Sequence, residues 1–195
     1  MNLVLASTSP YRRVLLERLG YPFTCEKPNV DEDRYKTEGR PPQALAALLA
    51  REKAREVSLR KPGALVIGGD QVAAIGTSIL GKPGSIDMAV AQLLRLQNQT
   101  HQLYTAVHLM GPGIDVPIME VTHLTMRALN FQQARHYVMK DQPLDCAGSY
   151  KLEVTGVKLF AKIEGADHDA IVGLPLISLQ TQLLALGFSF FDEAR

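Results

Sequence analysis

Residues 3–13 read Leu3-Val4-Leu5-Ala6-Ser7-Thr8-Ser9-Pro10-Tyr11-Arg12-Arg13. The four apolar residues predict a buried strand, and the hydroxyls, proline and paired arginines that follow predict the start of a helix. Pro10 suits the first helical position, and Ser9 can cap the free backbone amides. The positive end of a helix dipole beside two guanidiniums favours an anion, so this junction predicts a phosphate-binding site.

The composition indicates a globular protein whose basic groups are concentrated locally. The chain has 195 residues, 46% of them hydrophobic, and its 21 Lys and Arg against 20 Asp and Glu give a net charge of +1. This balance argues against binding to duplex nucleic acid. Cys25 and Cys146 are far apart and suit free thiols in a reducing compartment. Without a long apolar run or a secretion signal, we expect a cytoplasmic protein with no membrane partner.

Periodicity and helix-start signals predict an α/β fold with a mixed sheet flanked by helices. Strands are expected at 3–6, 21–26, 64–72, 101–110, 116–127 and 157–163, and helices at 10–19, 42–58, 86–96, 130–140 and 175–186. The first helix is expected to turn Val14, Leu15 and Leu19 inward, and the second to carry Lys53 on its surface. Residues 27–40 lack apolar periodicity and predict a long functional loop.

A carboxylate and several cations together suggest a site for phosphate and magnesium. Asp70 follows two glycines at the predicted end of an apolar strand, where a carboxylate can bind a metal or accept a proton from water. Alone, such an aspartate is more often a turn cap. Its prospective partners are the cations Arg12, Arg13, Lys53 and Lys82 and the carboxylate Glu32.

Other phosphate and metal motifs do not fit. Residues 76–82 have the glycine and lysine spacing of a P-loop, but Pro83 stands where a Ser or Thr would hold magnesium. The five histidines show no zinc-ligand spacing. Ser7 and Ser9 lack the Gly-x-Ser-x-Gly surroundings of a nucleophile, which favours capping or phosphate contact for both.

Seven short segments, taken in order, resemble the Maf family of nucleotide pyrophosphatases over nearly the whole chain. They are Leu5-Ala-Ser-Thr-Ser-Pro-Tyr-Arg-Arg13, Val30-Asp-Glu32, Glu52-Lys53-Ala54, Gly69-Asp70-Gln71-Val72, Gly81-Lys82-Pro83, Ala147-Gly148-Ser149-Tyr150 and Val172-Gly173-Leu174-Pro175. The resemblance implies one domain over residues 1–195, with two lobes on a long mixed sheet and a substrate cleft between the lobes. It also implies a divalent cation, Mg²⁺ or Mn²⁺, a tendency to form a homodimer, and hydrolysis of a nucleoside triphosphate to monophosphate and pyrophosphate.

The resemblance also assigns roles to individual residues. Asp70 matches the catalytic proton acceptor, with a share in metal binding, and Glu32 matches a second metal-facing carboxylate. The triphosphate contacts fall on Ser7, Arg12, Arg13, Lys53 and Lys82.

Three positions bear on the choice of base. Tyr11, Gln71 and Glu153 differ from the branch that hydrolyses dTTP and UTP, and together they resemble the branch assigned to 7-methyl-GTP. A methylated guanine is cationic, so an aromatic face attracts it and a carboxylate can accept from its N1 and N2 hydrogens. The sequence thus favours 7-methyl-GTP over pyrimidine nucleotides.

Two other classes of function remain open at this stage. One is a nucleotide-binding regulator of septum formation that does not turn over its ligand, against which the intact acidic and basic residues argue. The other is a nucleotidyltransferase, which also combines strand-end acids, basic residues and magnesium but forms a new phosphodiester.

Overall fold

The first strand and helix form as the sequence predicts. In the computed structural model, which describes residues 1–189, β1 (Leu3–Ala6) is buried at every position. Helix α1 (Pro10–Glu17) begins at Pro10, and the side chain of its N-cap Ser9 accepts a hydrogen bond from the Arg12 amide. Leu15 and Leu16 are buried, whereas Val14 is 59% exposed. The inward orientation expected for Val14 is wrong, because the buried face of this short helix is centred on Leu15 and Leu16.

The described residues form one seven-stranded mixed sheet, which confirms the predicted α/β class. The remaining strands are β2 (Phe23–Cys25), β3 (Leu65–Ile75), β4 (Ser78–Leu80), β5 (Thr100–Gly111), β6 (Ile114–Met126) and β7 (Phe160–Glu164). Their order is β2-β1-β3-β5-β6-β7, with β4 beside β3, and only the β1–β2 and β1–β3 pairs are parallel. Strands β5 and β6 form the long hairpin expected around residues 111–113.

The other helices are α2 (Glu32–Lys36), α3 (Pro42–Arg60), α4 (Ile86–Leu96), α5 (Phe131–Asp141) and α6 (Leu176–Ala185). All of these except α2 lie close to the positions that the sequence predicts. Asn130 and Gln133 form the expected capping box at the start of α5. Of the helices in the described residues, none is both long and apolar enough to cross a membrane.

Two segments differ from the sequence prediction. Helix α2 lies within residues 27–40, which were expected to form a loop. None of its residues is buried, so its sequence lacks the apolar periodicity that predicts a helix. The strand expected from Val157 begins at Phe160 instead, because Gly156–Leu159 form a turn of 3-10 helix. The two-lobed division and the single domain stay predictions.

Strand β3 has an open edge in its middle. Its pairing with β1 ends at Ala6 beside Gly68, and its pairing with β4 begins at Ala73 beside Leu80. Within the part of the chain that the structure describes, residues 69–72 therefore have a strand partner only on the β5 side. Asp70 was expected at the end of this strand, but β3 continues to Ile75, so the carboxylate stands at this open edge in mid-strand.

Gly68 lets α3 lie very close to the sheet just before that edge. A Cβ atom at this position would lie 2.2 Å from the backbone oxygen of Ala50 and 2.8 Å from the Cβ of Ala54. No side chain fits at such distances, so glycine is required for this contact. The close contact brings Lys53 of α3 within reach of Asp70.

Candidate active site

A cavity of about 970 Å³ opens at residues 69–72 of β3. Its walls come from the β1–α1 junction, α2, α3, the loop after β4 and the segment 145–153. The predicted site residues that line it are Ser7, Tyr11, Arg12, Glu32, Lys53, Asp70, Gln71, Lys82 and Glu153. The fold thus gathers nine of the ten predicted residues around one space.

Lys53 lies at the centre of the charged part of the cavity. Its Nζ is 2.7 Å from Oδ1 of Asp70 and 2.7 Å from Oε1 of Glu32. The Lys53 and Asp70 side chains are less than a tenth exposed. The surface position expected for Lys53 is therefore wrong, because its helix turns it onto the sheet, where the two carboxylates balance its charge.

The two carboxylates have opposite pKa shifts. Burial raises the pKa of Asp70 above its ordinary value, and the nearby Lys53 and Arg12 cations oppose this without cancelling it. Burial also works against ionisation of Glu32, but the pairs with Lys53 and Lys36 and the more distant Lys82 outweigh it, so the pKa of Glu32 is lowered. A buried carboxylate with a raised pKa is suited to accept a proton from water.

Arg12 is held at the cavity wall by the glycine of a distant loop. Its Nε donates to the backbone oxygen of Gly173 at 3.1 Å. A Cβ atom on Gly173 would lie 3.3 Å from the Arg12 side chain, and one on Gly69 would also lie 3.3 Å from it. Burial lowers the pKa of Arg12, and the charges of Asp70 and Glu32 oppose that shift. These contacts fix a guanidinium beside the acidic pair.

The β1–α1 junction supplies further groups that can bind an anion. Ser7 is buried, and its Oγ accepts a hydrogen bond from the Ser9 amide at 3.1 Å. Lys82 lines the cavity from an exposed position in the loop after β4. Arg13 is not among the residues that line the cavity; it is 65% exposed and pairs with Glu17 at 3.0 Å.

Residues predicted to read the base lie on two sides of the cavity. Tyr11 projects from the first turn of α1, and Glu153 lies in an exposed turn after residues 147–150. Burial raises the pKa of Tyr11, and Cys146, Asp145 and Glu153 add to the rise while Lys151 opposes it. The phenol therefore stays neutral, and Tyr11 lines the cavity near an acidic turn.

Among the described residues there is no cluster of three or more His, Cys, Asp or Glu side chains that could hold a metal ion. Asp70 and Glu32 nevertheless converge on one point, now occupied by Nζ of Lys53. Magnesium in enzymes is often bound by only one or two carboxylates together with substrate phosphates. This pair therefore fits a divalent cation that is bound jointly with a triphosphate.

Sequence reasoning missed two contributors to the site. Lys36 lines the cavity from α2 and pairs with Glu32 at 3.6 Å. Thr105 lies opposite Gln71 on β5 and accepts a hydrogen bond from its side-chain amide. Lys36 is four residues after Glu32, a helical spacing that could have revealed the pair. Thr105 could not have been found, since only strand register brings it to Gln71.

The comparison with protein families identifies the family of the chain. The model of the Maf-like protein family matches residues 2–186 of the chain. The chain belongs to the Maf family, which confirms the resemblance seen in its motifs.

Individual relatives within the family carry a more specific name. A protein of Xanthomonas oryzae pv. oryzae strain MAFF 311018, named 7-methyl-GTP pyrophosphatase, is 46% identical over 187 residues, covering 96% of this chain and 97% of the relative. Proteins with the same name from Colwellia psychrerythraea and Bdellovibrio bacteriovorus are each 44% identical. The Colwellia alignment covers 98% of this chain and 96% of the relative, and the Bdellovibrio alignment 91% and 93%.

Proposed function

We propose that this protein hydrolyses the α–β phosphoanhydride of 7-methyl-GTP to 7-methyl-GMP and pyrophosphate. The observation that carries the proposal is the cavity itself, which places a buried carboxylate among cations at one point and Tyr11, Gln71 and Glu153 around the same space. The names of the Xanthomonas, Colwellia and Bdellovibrio relatives support the same substrate. Such an activity would remove modified nucleotides from the pool.

The reaction needs a base beside the α-phosphorus. A water molecule attacks the α-phosphorus, its oxygen forms the new P–O bond, and the bond to the bridging oxygen of the β-phosphate breaks. Asp70 accepts the proton of that water, and pyrophosphate leaves with the bridging oxygen. The raised pKa of Asp70 favours proton transfer to it, while Lys53 at 2.7 Å favours the ionised form that accepts the proton.

Fixed positive charge stabilises the oxygens on which charge develops. Arg12 is held in place by Gly173, and the N-terminus of α1 faces the same cavity. Ser7 and Lys82 complete the proposed triphosphate contacts. The structure ties Lys53 to the carboxylates, so its role is to orient Asp70 and Glu32 as well as to meet phosphate. Arg13 stays a prediction that its exposed position does not favour.

Asp70 and Glu32 are the residues that would hold a divalent cation, Mg²⁺ or Mn²⁺. Such a cation, when bound, neutralises phosphate charge and polarises the P–O bond. Nζ of Lys53 would have to move away from one or both carboxylates, whose oxygens could then bind the cation. The free cysteines, Cys25 and Cys146, are consistent with the proposed cytoplasmic location. Formation of a homodimer stays a prediction of the resemblance.

The 7-methylguanine base is proposed to stack on Tyr11. The aromatic face attracts the cationic ring, and the Glu153 carboxylate accepts from the donor edge of the base. Replacing Tyr11 with leucine should lower kcat/KM for 7-methyl-GTP by roughly 2- to 30-fold, the range of a cation–π contact. The matched variant Tyr11→Phe keeps the ring and should stay within about twofold of the wild type.

A substrate panel tests the proposal. Purified protein is given 7-methyl-GTP, GTP, dTTP or UTP with Mg²⁺ or Mn²⁺, and the nucleotide and phosphate products are separated. The proposal requires 7-methyl-GTP to be hydrolysed fastest, with pyrophosphate as the second product. Faster hydrolysis of dTTP or UTP would assign the pyrimidine branch instead. Binding without turnover would indicate a regulator, and nucleotide transfer to an added acceptor would indicate a nucleotidyltransferase.

A further inference from the structure

The side-chain amide of Gln71 donates hydrogen bonds to three partners that have no free proton to return. Its Nε2 donates to Oγ1 of Thr105 at 3.0 Å and to the backbone oxygens of Ala170 and Ile171 at 2.8 and 3.1 Å. The two backbone oxygens have no proton to give. Thr105 has already committed its own proton, because its hydroxyl donates to Ala170 at 2.8 Å.

These partners decide which way the Gln71 amide faces. An amide turned by 180° would place its oxygen against two carbonyl oxygens and the lone pairs of a hydroxyl, with no hydrogen between them. Each buried acceptor would then lose a partner, at a substantial free-energy cost. The side-chain nitrogen of Gln71 must therefore face the 3-10 turn His168–Ile171, and its oxygen must face away from it.

The oxygen of the Gln71 amide is left without a protein partner. Gln71 lines the cavity, its Oε1 forms no hydrogen bond within residues 1–189, and Oε1 is not among the buried polar atoms that lack a partner. The oxygen is therefore the end of the amide that a ligand in the cavity can meet. Strand register places Thr105 directly opposite Gln71, on the same face of the sheet. Thr105 is completely buried and cannot contact a substrate itself.

We propose that Thr105 is a positioning residue that locks the Gln71 side chain so that only a hydrogen-bond acceptor is offered to the base. This inference rests on the proposed function, and it adds a reason for the choice of base. A guanine edge presents two kinds of N–H donor to such an acceptor. A base whose edge presents a lone pair there leaves two acceptors facing each other and is rejected.

The first test observes the Gln71 amide directly, without substrate. In ¹⁵N-labelled wild-type protein, its side-chain NH₂ protons should exchange slowly with solvent because they are bound to three acceptors. Thr105→Val removes the hydroxyl at nearly constant shape, and it should shift this resonance and speed exchange about tenfold. Thr105→Ser keeps the hydroxyl and should retain slow exchange. Fast exchange in the wild type, or an unchanged resonance in Thr105→Val, would overturn the proposal.

The second test asks whether Thr105 acts through Gln71. Thr105→Val should lower kcat/KM for 7-methyl-GTP about tenfold in the wild type, but by less than twofold in a Gln71→Ala background. Equal losses in both backgrounds would assign Thr105 a general structural role and overturn the proposal. Thr105→Ala replaces Thr105→Val if the valine variant does not fold.

The two proposals can fail separately. If the wild type does not hydrolyse 7-methyl-GTP, the proposed function is wrong, whereas the amide resonance still decides the position of Gln71. The double-variant comparison is then made with the triphosphate that the wild type prefers.

Discussion

Replacing Lys53 with methionine removes the cation that lies 2.7 Å from both Asp70 and Glu32. Methionine keeps most of the length of the side chain and loses the charge. Because Lys53 and Asp70 are less than a tenth exposed, the variant leaves Asp70 in a poorly hydrated place with only the cation of Arg12 to oppose its burial. Loss of one partner from such a pair typically costs about 3–5 kcal/mol of unfolding free energy.

The loss should depend on pH in a defined direction. Burial already raises the pKa of Asp70, and loss of its nearest cation raises it further. The folded variant therefore keeps a proton that the unfolded chain releases, so its stability falls as the pH rises from the unfolded pKa towards the folded one. Urea unfolding should show a larger deficit of Lys53→Met against wild type at pH 8 than at pH 5.

Activity should follow the same pKa, because Asp70 must be ionised to accept a proton. We expect kcat/KM of Lys53→Met to fall about 100-fold at pH 7, with the acidic limb of the pH–rate profile displaced to higher pH. Lys61→Met is the matched control, since Lys61 is 43% exposed and pairs with Glu26 on the surface; it should cost less than about 1 kcal/mol. An acidic limb of Lys53→Met at the wild-type position would refute the role given to this ion pair.

Three further predictions concern the wall of the cavity, the packing behind it and the core. Arg12→Ala should lower kcat/KM at least about tenfold. Arg13→Ala should stay within about threefold of the wild type, since Arg13 is exposed and paired with Glu17. Comparable losses in the two variants would contradict this difference and place both arginines at the substrate. Gly68→Ala should lower the free energy of unfolding in urea by about 3 kcal/mol, because its Cβ would lie 2.2 Å from a backbone oxygen. Gly81→Ala, with open space around the new Cβ, should change this free energy little. Equal stabilities of the two variants would contradict the close contact of α3. Burial lowers the pKa of His101 from 6.5 to about 4, so between these values the unfolded chain binds a proton that the native state does not. The free energy of unfolding should therefore fall by about 2 kcal/mol from pH 7 to pH 5. A His101→Gln variant with the same fall would show that another group is responsible.

Local signals predicted the elements of the fold well. Ser9 before Pro10, and Asn130 three residues before Gln133, mark helix starts through contacts within one turn, and both caps form. Helix α2 escaped prediction because a single exposed turn needs no apolar stripe. The 3-10 turn at Gly156–Leu159 escaped because its apolar residues also read as the start of a strand.

The sequence predicted which residues line the cavity better than it predicted the contacts between them. Motif order was enough to gather Asp70, Glu32 and Arg12, which the structure brings to one cavity. The burial of Lys53 and the hydrogen bond from Gln71 to Thr105 depend on how α3 and β5 meet β3, and sequence spacing alone carries no such information. These long-range contacts decide what the residues of the site can do.

The most direct test of the central claim uses 7-methyl-GTP in water enriched with ¹⁸O, with the Asp70→Asn variant beside the wild type. Attack of water on the α-phosphorus, with Asp70 as its base, predicts one ¹⁸O atom in 7-methyl-GMP, none in pyrophosphate, and turnover at least about 100-fold lower in the variant. ¹⁸O in the pyrophosphate, or undiminished turnover by Asp70→Asn, would contradict the account.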